Sequence, residues 1–119
     1  MTRILICDDE PAHRALVRAI LGVEADVEVV GEAVDGTSCL DVIRAARPDV
    51  VLLDLNMPGT DGFEVLRELR GDPDAPRILV LSSAAASEVA ERVREEGADF
   101  LRKGGEPAEL TAAIRRAAG

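Results

Sequence analysis

Tryptophan and tyrosine are absent from this chain, and phenylalanine occurs twice in 119 residues. A core built without aromatics has to be aliphatic, and a flavin would find no ring to stack on. Positive charge is also scarce: 14 Lys and Arg stand against 23 Asp and Glu, for a formal charge of -9. Nucleic acids and anionic membranes are held by basic surfaces, so no direct contact with either is expected. The two cysteines, Cys7 in an apolar run and Cys39 in a helical pattern, lack metal-ligand or redox-pair spacing and read as reduced core residues. A cytoplasmic location follows as the default. No apolar run nears the ~18 residues of a membrane span, and the first residues lack the basic start and long apolar stretch of an export signal. With 47% hydrophobic residues and no linker, tail or low-complexity stretch, residues 1–119 are expected to form one domain.

What is present is an alternation of short apolar runs and amphipathic stretches. Arg3 to Cys7 is a strand that stops at Asp8, Asp9 and Glu10, and Pro11 then sits where a first helical residue is well tolerated. The helix that follows shows Ala12, Leu16, Ala19 and Ile20 at the spacing of one face, with Gly22 as its stop. Val27 to Val30 reads as the second strand, Asp35 to Thr37 as a turn and cap, and Leu40 and Ile43 as the face of a helix ending before Pro48. Val50 to Leu53 is apolar throughout, the mark of a strand buried on both faces, and it ends on Asp54 with Pro58 and Gly59 beyond. Phe63, Leu66 and Leu69 make a short helix closed by Gly71. Arg77 to Leu81 is the fourth strand, ending on Ser82, and Val89, Ala90 and Val93 mark a helix stopped at Gly97. Asp99 to Arg102 is the fifth strand, ending at Lys103, and a last helix runs from Pro107 nearly to Gly119.

Five strands alternating with five helices predict an α/β fold with a parallel sheet covered on both faces. Glu28 on the second strand, and Asp99 and Arg102 on the fifth, suit edge positions, which predicts the flavodoxin-like order 2-1-3-4-5. In that order the carboxyl ends of strands one, three, four and five bring Asp8, Asp9, Asp54, Ser82 and Lys103 to one rim. Crowded carboxylates hold their protons more tightly unless a cation is present, and Mg²⁺ suits carboxylates, a carbonyl, waters and a phosphate. Lys103 is the chain's sole lysine, a compact ammonium apt for one phosphate oxygen. Taken singly, Asp54 is an ordinary turn residue, the acids at 8–10 an ordinary helix start, Ser82 a loop hydroxyl and Lys103 a solvated charge. Their joint placement at four strand ends favours function.

These residues, with Leu53 to Gly59, Gly62 and Gly97 to Lys103, resemble a response-regulator receiver domain over essentially the whole chain. The resemblance implies that Asp54 accepts a phosphoryl group from a histidine kinase or phosphotransfer protein, or from a small acyl phosphate. It implies Mg²⁺ on Asp9, Asp54 and the main-chain carbonyl of Asn56, with Asp8 acting largely through a metal-bound water, and phosphoryl oxygens on Ser82 and Lys103. His13, the sole histidine, is no phosphohistidine candidate and reads as exposed and incidental. Phe100 stands where similar receivers carry a switch aromatic; it is either plain core packing or a ring that turns inward as the Ser82 hydroxyl moves toward the phosphoryl oxygen. The helix holding Val89 and Val93, the fifth strand and the last helix would then change as one surface, open to an output partner or a phosphorylation-dependent homodimer. Val27 to Ala33 and the Lys103–Gly104 ending are similar to receivers that precede helix-turn-helix output domains, so the expectation is either a stand-alone regulator or one whose DNA-binding output domain lies outside these residues. One departure is Gly104-Gly105 where many receivers have a proline in a cis bond; a cis bond without proline costs ~3 kcal/mol, so a trans, more mobile loop is expected.

Three other readings compete. A phosphotransferase of the haloacid-dehalogenase type also uses a strand-end aspartate, but its Asp-x-Asp turn does not match Asp8-Asp9-Glu10. A flavodoxin would need aromatics and a Ser/Thr/Gly phosphate loop after the first strand. A receiver fold that only docks would not need Asp9, Asp54, Ser82 and Lys103 together.

Overall fold

The computed structural model of the chain describes residues 1–57, 62–83 and 87–119; Pro58 and Gly59 lie outside that set. Strands and helices alternate as β1 (Thr2–Cys7), α1 (Pro11–Leu21), β2 (Val27–Ala33), α2 (Gly36–Ala46), β3 (Val50–Asp54), α3 (Gly62–Leu69), β4 (Arg77–Ser82), α4 (Ser87–Glu95), β5 (Asp99–Arg102) and α5 (Pro107–Ala118). The sheet is parallel in the order β2-β1-β3-β4-β5. This is the expected flavodoxin-like order, and it leaves β2, with Glu28 and Glu32, and β5, with Asp99 and Arg102, at the edges, where their side chains can reach water.

Pleating sorts the apolar residues into two layers. Leu5, Cys7, Val51, Leu53 and Val80 project to one side, where α2, α3 and α4 cover them with Cys39, Ile43, Leu66 and Val93. Ile4, Ile6, Val50, Leu52 and Leu79 project to the other, under Val17 and Leu21 of α1 and Leu110 and Ile114 of α5. β3 lies at the centre and is buried at every position. Among the described residues no helix is long and apolar enough to cross a membrane.

Local chemistry sets the helix ends. Asp35 caps α2 by accepting the Ser38 N–H at 2.8 Å, and the Ser38 hydroxyl oxygen accepts the Asp35 N–H in return. Gly71 and Gly97, with φ of 87° and 83°, close α3 and α4 in a conformation that side chains resist. The described peptide bonds are all trans, including Lys103–Gly104. β2 runs to Ala33, beyond the expected Val30, because its register slips between Ile4 and Leu5 and pairing then resumes.

The expected core face of α1 is wrong by one residue. Val17 and Leu21 are buried, whereas Leu16 is 55% exposed and Ala12 and Ala19 also face water. Spacings of three and four admit two stripes in this segment. Starting the helix at Pro11, only a short turn after β1, rotates the stripe of His13, Val17, Ile20 and Leu21 onto the sheet.

Gly62 opens α3 against the turn that leaves β3. A Cβ there would lie 2.8 Å from Leu55 Cδ2 and 3.0 Å from Leu55 Cα. Gly62→Ala is therefore expected to lower stability by about 1–3 kcal/mol through overpacking, although alanine is the better helix former. Urea unfolding checks this, with a midpoint at or above wild type counting against the contact.

Candidate functional site

The site is built where β1, β3 and β5 end. Asp8 follows β1 in the pleat phase of Ile4 and Ile6, and Asp54 closes β3 in the phase of Val50 and Leu52, so both lean toward the layer under α1 and α5. Lys103, just beyond β5 and two residues after Leu101, arrives on the same side. Its ammonium donates to Asp8 Oδ2 and to Asp54 Oδ2, each at 3.2 Å, and Glu10 Oε1 lies 3.6 Å away. Asp8 and Asp54 are each 2% exposed. Burying two carboxylates against one another is costly without a counter-charge, and this lysine provides it.

The remaining carboxylate oxygens are held by the main chain. Asp54 Oδ1 accepts the Asn56 N–H at 3.0 Å, and Asp8 Oδ1 accepts the Glu10 N–H at 2.9 Å. Each is a short turn in which an aspartate binds the amide two residues on. Lys103 is itself anchored by its own N–H, which donates to the Ser82 carbonyl at 2.9 Å. The α1 helix grips Asp8 from the side: Arg14 donates to the Asp8 carbonyl at 2.8 Å, and His13 Nδ1 meets Asp8 Oδ2.

His13 is thus neither exposed nor incidental, as the sequence suggested. Its side chain is largely buried, with its ring nitrogen on a carboxylate of the site. Glu10 is a second residue the sequence reading passed over as a plain helix start. One carboxylate oxygen from each of Asp8, Asp9, Glu10 and Asp54 can be chosen so that all four lie within 4.8 Å of one another. Oxygen donors alone, several of them anionic, fit a hard divalent cation such as Mg²⁺ better than a softer metal.

Crowding does not raise the proton affinity of Asp8. Burial pushes its pKa up, but the Glu10 amide, the charge of Lys103, and hydrogen bonds from His13 and Lys103 outweigh burial and hold it below the ordinary 3.8. Burial likewise pulls Lys103 down, and the charges and hydrogen bonds of Asp54 and Asp8 raise it above 10.5.

Ser82 and Phe100 belong to the other face. Ser82 ends β4 in the pleat phase of Ile78 and Val80, is 1% exposed, and lies one residue past Leu81, the register partner of Asp54. Phe100 pairs with Val80 and packs, half-buried, against the layer under α2, α3 and α4. The two therefore share one face, two positions apart in register. Cys7 and Cys39 are buried and free in that same layer, as expected; a hydrogen bond from Cys39 and burial push the Cys7 thiol up.

A family model described as the response regulator receiver domain matches residues 4–115, and the chain belongs to that family. It is 39% identical over 116 residues to the nitrate/nitrite response regulator protein NarL of Escherichia coli (strain K12), which covers 97% of this chain and 54% of that protein. It is 37% identical over 118 residues to the transcriptional regulatory protein LiaR of Bacillus subtilis (strain 168), covering 98% and 56%. The chain thus spans about half the length of these curated relatives. Among solved structures, the signal receiver domain of a NarL response regulator from Mycobacterium tuberculosis superposes with a TM-score of 0.92 at 36% identity, covering 98% of this chain and 95% of that one. The sequence resemblance therefore holds, and the dehalogenase and flavodoxin readings are not favoured.

The lowered Asp8 pKa has a defined effect on stability. A carboxylate depressed by folding contributes stability above its unfolded pKa and loses it as pH falls through the folded value; raised Lys103 contributes below its unfolded pKa and loses it as pH rises through its folded value. Carboxyl ¹³C NMR of the metal-free protein should place the Asp8 midpoint below 3.8, and Lys103→Met should move it upward, since burial then faces fewer opposing contacts. An Asp8 midpoint unmoved by that substitution would show that Lys103 does not set its charge.

Proposed function

We propose that the domain accepts a phosphoryl group on Asp54 in two-component signalling. The observation that carries this is the pairing of a buried Asp54 carboxylate with the chain's sole lysine at a strand-end rim rich in carboxylates. An Asp54 oxygen attacks phosphorus as the bond to the donor breaks. For a phosphohistidine of a histidine kinase or phosphotransfer protein, the electron pair of that bond returns to the imidazole nitrogen. Oδ1 is held by the Asn56 N–H, and Oδ2 touches the ammonium. A phosphoryl group added at Oδ2 arrives beside Lys103, which exchanges carboxylate oxygens for phosphoryl oxygens without crossing the site. Catalysis of this kind is positioning plus electrostatics.

Asp9 and Asp54 would hold Mg²⁺ with the Asn56 carbonyl, and Asp8 would act through a bound water. Bound there, the ion supplies positive charge that offsets charge on the transferring group. The domain is then a phosphoacceptor that assists its own phosphorylation and dephosphorylation. Two free, buried cysteines suit a reducing cytoplasmic setting.

Ser82 and Phe100 form the switch in this proposal. The Ser82 hydroxyl moves to the phosphoryl oxygen, Phe100 turns inward, and the surface of α4, β5 and α5 passes to a second state already present in the free protein. Their shared face supports a coupled pair. The reader of that surface is an output partner, a second copy of the chain, or a DNA-binding output domain; two relatives bear the name DNA-binding response regulator.

Incubation with acetyl phosphate and Mg²⁺ should add the mass of one phosphoryl group to wild type and none to Asp54→Asn. Labelling that persists in the amide variant would sink the assignment. Mg²⁺ should also raise the Tm of wild type, by the equivalent of ~2.7 kcal/mol at a hundredfold excess over Kd, and far less in Asp9→Ala. With beryllofluoride as phosphoryl stand-in, amide shifts should reach Val89, Val93 and Leu110 in wild type and be lost in Ser82→Ala; shifts confined to Asp54 would rule out the switch.

A further inference from the structure

We infer that His13 is a positioning residue for Asp8, keeping that carboxylate oriented toward the cation site when Lys103 leaves it. The inference rests on the function proposed above. Asp8 Oδ2 takes two donors, the Lys103 ammonium at 3.2 Å and His13 Nδ1, while Oδ1 takes the Glu10 N–H at 2.9 Å. Ionised, Asp8 can only accept, so the hydrogen in the His13 contact sits on Nδ1. Transfer of a phosphoryl group to Asp54 draws Lys103 toward the new oxygens and takes one donor from Oδ2. A buried carboxylate tied at one oxygen alone can rotate, and every rotation moves its lone pairs away from a water on the ion. His13 prevents this: it keeps one site on Oδ2 filled and leaves the site vacated by Lys103 for that water.

The fold makes His13 suited to the task. It lies in the first turn of α1, on the stripe that continues through Val17 and Leu21 into the core, so its ring is fixed by a packed helix. Arg14, the next residue, binds the Asp8 carbonyl at 2.8 Å. The same helical turn therefore fixes both the main chain and the side chain of Asp8. Outer partners of a metal site commonly change metal affinity 10–100-fold when removed, and Asp8, acting through a water of the ion, is such a partner held in place by His13.

Calorimetric titration of Mg²⁺ into wild type, and into Lys103→Met, where Asp8 Oδ2 lacks the ammonium as it does after transfer, with His13→Ala, His13→Gln, Asp8→Asn and His13→Ala/Asp8→Asn each added to that background, tests this. His13→Ala should weaken Mg²⁺ binding about tenfold, and His13→Gln, which keeps an N–H donor, should recover most of the loss. In the Asp8→Asn background His13→Ala should have no further effect, since the two residues act as one unit. Metal-free Tm values report the stability of the fold without the ion, so a loss that is merely structural shows there. Unchanged or tighter Mg²⁺ binding in His13→Ala overturns the inference, as does an equal loss in the Asp8→Asn background. If His13→Ala does not fold, the ring Nδ1–H resonance of His13 decides: a signal that is absent from wild type, or that ignores Asp8→Asn, overturns the inference. Wild type that takes up no Mg²⁺ overturns the proposed function as well, whereas normal wild-type uptake with an indifferent His13 overturns this inference alone.

Discussion

Two buried carboxylates and one ammonium, brought together from three strand ends, set the main constraint on this molecule. Ionised groups leave water only when their partners are close and their remaining lone pairs are filled. Here Lys103 bridges Asp8 and Asp54, and the amides of Glu10 and Asn56 fill the oxygens it does not reach. That requirement fixes the shape of both turns after the strands, because each must fold an N–H back onto its own aspartate. It also fixes where β5 ends, since Lys103 has to follow Leu101 on the α1–α5 side of the sheet while its own N–H stays tied to Ser82.

The parallel sheet gives the site a division of labour. Residues in one pleat phase carry the charges, and those in the other, Ser82 and Phe100, share a layer with α2, α3 and α4. Position in the pleat separates the charged residues of the rim from Ser82 and Phe100.

Strand order and the rim at the carboxyl ends were legible in the chain because they depend on patterns that survive in one dimension: apolar runs, edge polarity, and the polar residue ending each run. Asp54, Lys103 and Ser82 could be placed on that basis alone. The α1 face was not, since Leu16 and Val17 both fit a spacing of three and four, and only the docking of the helix after a short turn decides between them. His13 was lost with that face; a stripe drawn through Val17 and Leu21 would have pointed it at the sheet. The role of Glu10 in ordering Asp8 comes from its main chain, to which its side-chain identity offers no clue. The close approach of Gly62 to Leu55 is a matter of distance between the start of a helix and the turn after a strand, which spacing along the chain does not record.

Having a single lysine makes the site its own chemical reporter. An acylating reagent that seeks side-chain amines finds one target, and it reacts only with an amine that has shed its proton. Asp8 and Asp54 oppose that loss directly and also shield the nitrogen from approach. The rate of acylation at Lys103 therefore gauges how firmly the two acids hold it. Anything that loosens their hold, whether a competing cation or a covalent change at Asp54, registers there in the unaltered protein, with no dye or engineered cysteine.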